Sequence, residues 1–130
     1  MKVVFDTNIF ISAFVIPGGQ AEKAILRIIE GRDILLLSKG ILDELLTVLS
    51  AKFSRDKEEI SRVAVILSEI AEWVGPSERI KVLNDDADNR ILECAISGNA
   101  DIIVTGDKGL LRLAEYQKSK IVSLKEYLGE

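Results

Sequence analysis

Asp6, Glu44, Asp88 and Asp107 are the side chains in this sequence whose placement points to chemistry. Asp6 directly follows Lys2-Val3-Val4-Phe5, and Asp107 follows Ile102-Ile103-Val104 by way of Thr105-Gly106. Both runs have the β-branched, apolar composition of short buried strands. Open parallel sheets build their sites beyond the carboxyl ends of the strands, where the chain turns into helices. Two strands that end in aspartate would put two carboxylates on one edge of one sheet. Each aspartate also has a plainer explanation, as an Asx-turn or a cap on the next helix. The same arrangement after both of the most strand-like runs favours function.

The other two acids fall on helix-like stretches. Asp88 lies in Asn84-Asp85-Asp86-Ala87-Asp88-Asn89, in what reads as the first turn of a helix. Acids are favourable there, and Asp88 could close a capping box with Asp85. Yet Ile91, Leu92 and Ala95 stand three, four and seven residues on, which aims Asp88 along the buried face. Asp85 and Asp86 keep the capping interpretation. Glu44 borders a broad apolar arc of Ile41, Leu42, Leu45, Leu46, Val48 and Leu49, whereas Asp43 falls on the solvent side.

Carboxylates gathered in a cleft need a counter-charge. Two of them about 5 Å apart repel by roughly 3 kcal/mol at an effective dielectric near 20. They share protons or take up a cation. The sequence has no histidine and Cys94 as its lone cysteine, which excludes imidazole catalysis, Ser-His-Asp and Cys-His machinery, disulfides and His- or Cys-ligated metals. Any metal sits on oxygen ligands, which selects Mg²⁺ or Mn²⁺, or Ca²⁺. Such an ion neutralises charge developing on a phosphate and activates water without any histidine. The net charge of −4 argues against a broad basic face for DNA, but not against a cation-mediated encounter with a polyanion. Lys39, Arg90, Lys108 and Arg112 flank the acids in sequence and are candidate phosphate contacts.

The elements that must position these residues can be read along the chain. Strands are expected at 2–5, 34–37, 102–104 and 121–122, with a further short one at 80–82. Helices are expected at 9–15, 20–30, from a cap at Ser38 to about 51, 56–74, from Asn84 or Asp85 to 97, about 109–114, and after Ser123. The long helix carries Ile60, Val63, Leu67, Ile70 and Val74 in steps of three and four. Val65 and Ile66 widen its stripe enough for a homodimer contact, and Trp73 is expected in the core. Cys94 reads as a small core hydrophobe. Strands alternating with amphipathic helices indicate an α/β fold with a mainly parallel sheet, in a single domain over 1–130. No apolar run approaches a membrane span. The amino terminus enters a strand at once, which leaves no room for a secretory signal and gives a cytoplasmic expectation.

Asp6-Thr7-Asn8 after the first strand, Glu44 on a mid-chain helix, Asp88 seven residues before Ala95, and Val104-Thr105-Gly106-Asp107 together resemble the PIN-domain ribonucleases. The similarity runs over essentially the whole chain. It is nearest to the stand-alone prokaryotic PIN proteins, including the VapC-type toxins of toxin–antitoxin pairs. The resemblance implies a three-layer α/β/α domain and a Mg²⁺- or Mn²⁺-dependent ribonuclease that hydrolyses single-stranded RNA to a 5′-phosphate and a 3′-hydroxyl. It implies that Asp6, Glu44, Asp88 and Asp107 bind the metal, that Thr7, Asn8 and Thr105 support them, and that an antitoxin and a second copy of the chain are partners. Three other readings stay open. A haloacid-dehalogenase-type phosphatase needs an aspartate where Asn8 stands. A phospho-accepting receiver domain matches only at Asp6 and Lys108. A metal-stabilised RNA- or partner-binding module would keep the acids without cutting.

Overall fold

A computed structural model describes residues 1–52 and 56–129 of the chain. The apolar runs form the sheet. β1 (Lys2–Phe5), β2 (Ile34–Leu37), β3 (Ala71–Trp73), β4 (Ile102–Val104), β5 (Glu115–Tyr116) and β6 (Ser119–Val122) lie in the order β3-β2-β1-β4-β6-β5. Every pairing is parallel except β5 with β6. Between the strands run α1 (Thr7–Val15), α2 (Gln20–Ile29), α3 (Lys39–Lys52), α4 (Lys57–Ile70), α5 (Asp86–Ser97), α6 (Lys108–Leu113) and α7 (Leu124–Leu128). Val3, Val4 and Phe5 are all fully buried. Successive side chains of a strand point to opposite faces, so both faces of the sheet are covered. That is the layered α/β arrangement expected of apolar strands alternating with helices. Phe5 sits at the centre, its ring 5.8 Å from Phe10 and 5.7 Å from Tyr127.

β1 and β4 are direct neighbours, with Phe5 level with Val104. The ladder runs one step past the strand ends: Asp6 N–H donates to Val104 O at 3.0 Å, and Thr105 N–H to Val122 O at 3.0 Å. Asp6 and Thr105 therefore leave the sheet at the same level on the same edge.

The fold departs from the sequence reading at several elements. The helix expected over 56–74 stops at Ile70, where Ala71 turns extended (φ −99°, ψ 153°). Residues 71–73 then pair with the free edge of β2, and Val74 N–H continues the ladder to Leu37 O at 2.8 Å. Trp73 is consequently 48% exposed rather than in the core. Helical spacing masked this strand because an apolar residue four beyond Ile70 suits either conformation. The strand expected at 80–82 does not form. β6 begins at Ser119 and pairs with an unforeseen β5, through a turn in which Gln117 has φ 53°. The usual hairpin cue, glycine at such a turn, is absent there. Helices α1 and α6 begin at Thr7 and Lys108, earlier than their apolar periodicity indicates, because Asp6 and Asp107 cap them. Ser38 caps the start of α3, accepting from Ile41 N–H at 3.3 Å. Cys94 is fully buried, and burial pushes its thiol up to about 12. Among the described residues, no single helix is long and apolar enough to cross a membrane.

Candidate active site at the carboxyl edge of the sheet

Of the helices that start at this edge, three, α1, α5 and α6, are capped by an aspartate. Asp6 accepts from Asn8 N–H at 3.3 Å, Asp107 from Leu110 N–H at 2.9 Å, and Asp85 from Ala87 N–H at 2.8 Å and Asp88 N–H at 3.3 Å. The capping explanation is thus correct for Asp6 and Asp107, and it does not compete with a site. Capping fixes each carboxylate at a helix start, and the parallel sheet brings those starts to one edge. Thr105, fully buried, joins two of them: its hydroxyl donates to Asp6 Oδ2 at 2.5 Å and accepts from Asp107 N–H at 2.9 Å. Gly109 clears the space beside Asp107, since a Cβ there would meet Asp107 Oδ2 at 3.0 Å.

Asp88 occupies the first turn of α5, half-buried. Its carboxyl lies close enough to that of Asp107 for the two to interact. Burial raises the Asp88 carboxyl, helped by the charges of Asp107, Asp85 and Asp6, to about 7. Asp6 is also raised. Burial is the main cause, opposed by the Thr105 and Asn8 hydrogen bonds and reinforced by Asp107 and Asp85. Among the described residues, no lysine or arginine acts on either acid.

The other expected residues lie as follows. Thr7 is buried in the first turn of α1, while Asn8 is exposed and contributes its backbone N–H. Glu44 is half-buried on α3 and is not among the charges acting on Asp6 or Asp88. Lys39 pairs at the surface with Asp43 at 2.7 Å, Lys108 is exposed, and Arg112 Nε donates to Lys108 O at 3.3 Å. Arg90 is held inside the fold. Its Nη2 donates to Glu93 Oε2 at 2.8 Å and to Ile80 O at 3.2 Å.

A family model described as a PIN domain matches residues 2–109, most of the chain, from β1 to the start of α6. The chain belongs to the PIN domain family. A protein of Methanocaldococcus jannaschii is 30% identical over 142 aligned positions, which span 100% of this chain and 91% of that protein. Among solved structures, VapBC2 from Rickettsia felis, bound to a DNA fragment from its promoter, superposes with a TM-score of 0.68 at 19% identity. It covers 95% of this chain and 98% of that one. VapBC-1 from nontypeable Haemophilus influenzae superposes with a TM-score of 0.61 at 22% identity, over 96% and 99% of the two chains. At those identities the two structures establish the fold. PIN domains are generally nucleases, which supports a hydrolytic nuclease role for this chain.

Sequence reasoning passed over three side chains of this PIN domain. Asp85 belongs with the acids, a role hidden by its strong local signal as a cap. Asn89 and Glu93, both buried, replace the strand expected at 80–82. Asn89 accepts from Leu83 N–H at 2.9 Å and donates to Leu83 O at 2.8 Å, while Glu93 accepts from Ile80 N–H at 2.8 Å. One face of α5 thereby pairs the backbone of 80–83, the segment that leads into Asp85. An Asn and a Glu one turn apart on an otherwise apolar helix face were the available clue.

Among the described residues, no three acidic side chains converge closely enough to cage a metal ion by themselves. The donors present still fit one kind of ion. Mg²⁺ takes one or two carboxylates and completes its shell with water. Burial and the charges of Asp107, Asp85 and Asp6 work against ionisation of Asp88, and such a cation would relieve that opposition.

Proposed function

We propose that the chain is a Mg²⁺- or Mn²⁺-dependent ribonuclease that hydrolyses phosphodiester bonds of single-stranded RNA, with the whole activity in one domain over 1–130. The carrying observation is that Thr105 ties the Asp6 carboxylate to the backbone of Asp107 while the Asp88 carboxyl feels the charges of both, at one sheet edge, with no cationic side chain among the described residues acting on Asp6 or Asp88. Asp6, Asp88 and Asp107 would hold the ion, with Glu44 directly or through water from the adjoining α3. When bound, the ion supplies Lewis-acid neutralisation of charge at the scissile phosphate.

The chain's own residues do the rest. Thr105 orients Asp6 and holds the Asp107 backbone in place. The caps on α1 and α6 keep both carboxylates from swinging into solvent. As a ligand Asp88 would be ionised, so metal affinity is expected to rise with pH up to about 7. The VapBC neighbours support an antitoxin partner and a toxin role. Val65 and Ile66, 55% and 40% exposed on α4, are the surface on which a homodimer contact would fall.

The test is cleavage of single-stranded RNA by the full chain with Mn²⁺, in EDTA, and with Asp6→Asn. The expected result is cutting that needs the ion, stops in EDTA and is absent from the variant. Cutting that persists in EDTA or in Asp6→Asn overturns the assignment. RNA binding without cutting, with the ion present, would put the non-catalytic binding module in its place.

A further inference from the structure

A second feature opens on the same sheet edge, two strands from Asp6. A pocket of about 390 Å³ lies beyond the ends of β2 and β3, with Lys39, Arg79 and Arg90 on its walls. The register places it. Val4 is level with Leu36, and Leu37 with Trp73, so the residues that leave the sheet beside Asp6 are Ser38 and then Val74, both on the pocket lining. Neighbouring strands lie about 5 Å apart, so the row from Asp6 to Val74 spans about 10 Å. Helix α5 connects the two places, with Asp88 toward the acids and Arg90, two residues on, toward the pocket.

We infer that this pocket holds a phosphate-bearing nucleotide of the substrate strand, next to the nucleotide whose bond is cut. The inference rests on the ribonuclease reading above. The charges divide the work. Arg90 is neutralised by the buried Glu93 and forms a fixed wall. Arg79 is exposed, and no ion pair or hydrogen bond engages its side chain among the described residues. Lys39 is tied only to Asp43 in an exposed pair, a kind of contact that contributes little and yields to a phosphate. Val74 and Pro76 offer apolar surface beside these cations, and the volume is in the range of small-ligand sites. Glu78, also on the lining, is the opposing charge at the mouth. A strand lying along this edge would thus meet acids at one point and exposed cations at the next.

The experiment compares steady-state cleavage and RNA binding of the full chain with Lys39→Gln, Arg79→Gln and the double variant. Each single change should raise KM about threefold or more, and the double about tenfold, with a smaller fall in kcat. The slope of log affinity against log salt should shrink by about one for each contact removed. Glu78→Gln should lower KM. An oligoribonucleotide with an uncharged methylphosphonate beside the cut should lose affinity for the parent and lose nothing further with Arg79→Gln. Lys118→Gln, in the turn between β5 and β6, should match the parent. Parent values of KM and salt slope in the double variant, with cleavage still abolished by Asp6→Asn, overturn the pocket and leave the nuclease reading standing. A parent chain that neither cuts nor binds RNA overturns both.

Discussion

Asp6 and Asp33 are two buried aspartates that flank strands of the same sheet, 6% and 9% exposed, and their carboxyl groups are shifted in opposite directions. Asp33 immediately precedes β2, on the amino edge. Burial works against its charge but is overcome: Tyr127 donates its hydroxyl at 2.5 Å, the Met1 amino group lies at 3.1 Å, and Arg27 stands 3.9 Å away. The result is a carboxylate below its usual range. Arg27 completes the network, donating to Tyr127 O at 3.0 Å and lying 4.9 Å over its ring. Asp6, on the opposite edge, receives one hydroxyl and one N–H and faces further acids. Burial alone therefore does not reveal what an aspartate is for. A buried carboxylate ringed by donors and cations ties segments together, while one ringed by other acids is held ready for a charge that the chain does not provide.

Replacement of the two aspartates should break the comparison most sharply. Asp6→Asn should lower RNA cleavage by at least about 100-fold, the scale on which removing one charge-stabilising group acts. In metal-free buffer its melting temperature should stay level or rise, because clustered negative charge has been removed. Asp33→Asn should do the reverse, costing about 2–3 kcal/mol in urea denaturation while kcat holds, since it unpairs a buried, hydrogen-bonded charge. If both variants lose stability alike, the contrast between the edges is wrong.

Thr105→Val should come next. It removes the donor to Asp6 and the acceptor for Asp107 N–H together, and about a tenfold loss of activity is expected, as for other groups that orient ligands. Thr105→Ser should restore most of it, which a simple packing defect would not allow.

The pH response should also separate the two edges. Asp88, raised to about 7 in the fold from the ordinary carboxylate value, binds its proton more tightly folded than unfolded. Its contribution in EDTA therefore favours the fold at low pH and is lost as pH rises from 4 through 7, by on the order of 1–2 kcal/mol after solvent screening. Asp33 has the opposite sign, stabilising above the ordinary carboxylate range and lost as pH falls through its lowered value. Urea midpoints at pH 5 and pH 8 for the parent and Asp88→Asn check this, and the variant should lack the Asp88 component. The smallest effect is expected of Glu44→Gln, a few-fold loss at most. A loss equal to that of Asp6→Asn would mean that α3 closes on the acids when the ion binds.

Much of this site was legible because its signals are local. An apolar β-branched run followed by aspartate marks both a strand end and a helix cap, and Asp6 and Asp107 each satisfy both descriptions. Asp85 was legible only as a cap, because nothing in its neighbours reports which other helix starts lie nearby. Arg90 looked like a phosphate contact by its nearness to Asp88. Its actual partner Glu93, three residues on, became evident only when α5 packed against the 80–83 segment.

The sequence by itself determined the alternation of apolar strands and amphipathic helices, the oxygen-only donor set, and the acids at the ends of β1 and β4. These follow from residue type and periodicity, which act over a few positions. Tertiary structure decided that residues 71–73 pair as a strand, that Thr105 joins Asp6 to Asp107, and that Asp88 meets other acids while Asp33 meets cations. Those outcomes depend on which segments become neighbours in the sheet. A carboxylate's charge state is set by the groups within a few ångströms of it, whatever their distance along the chain.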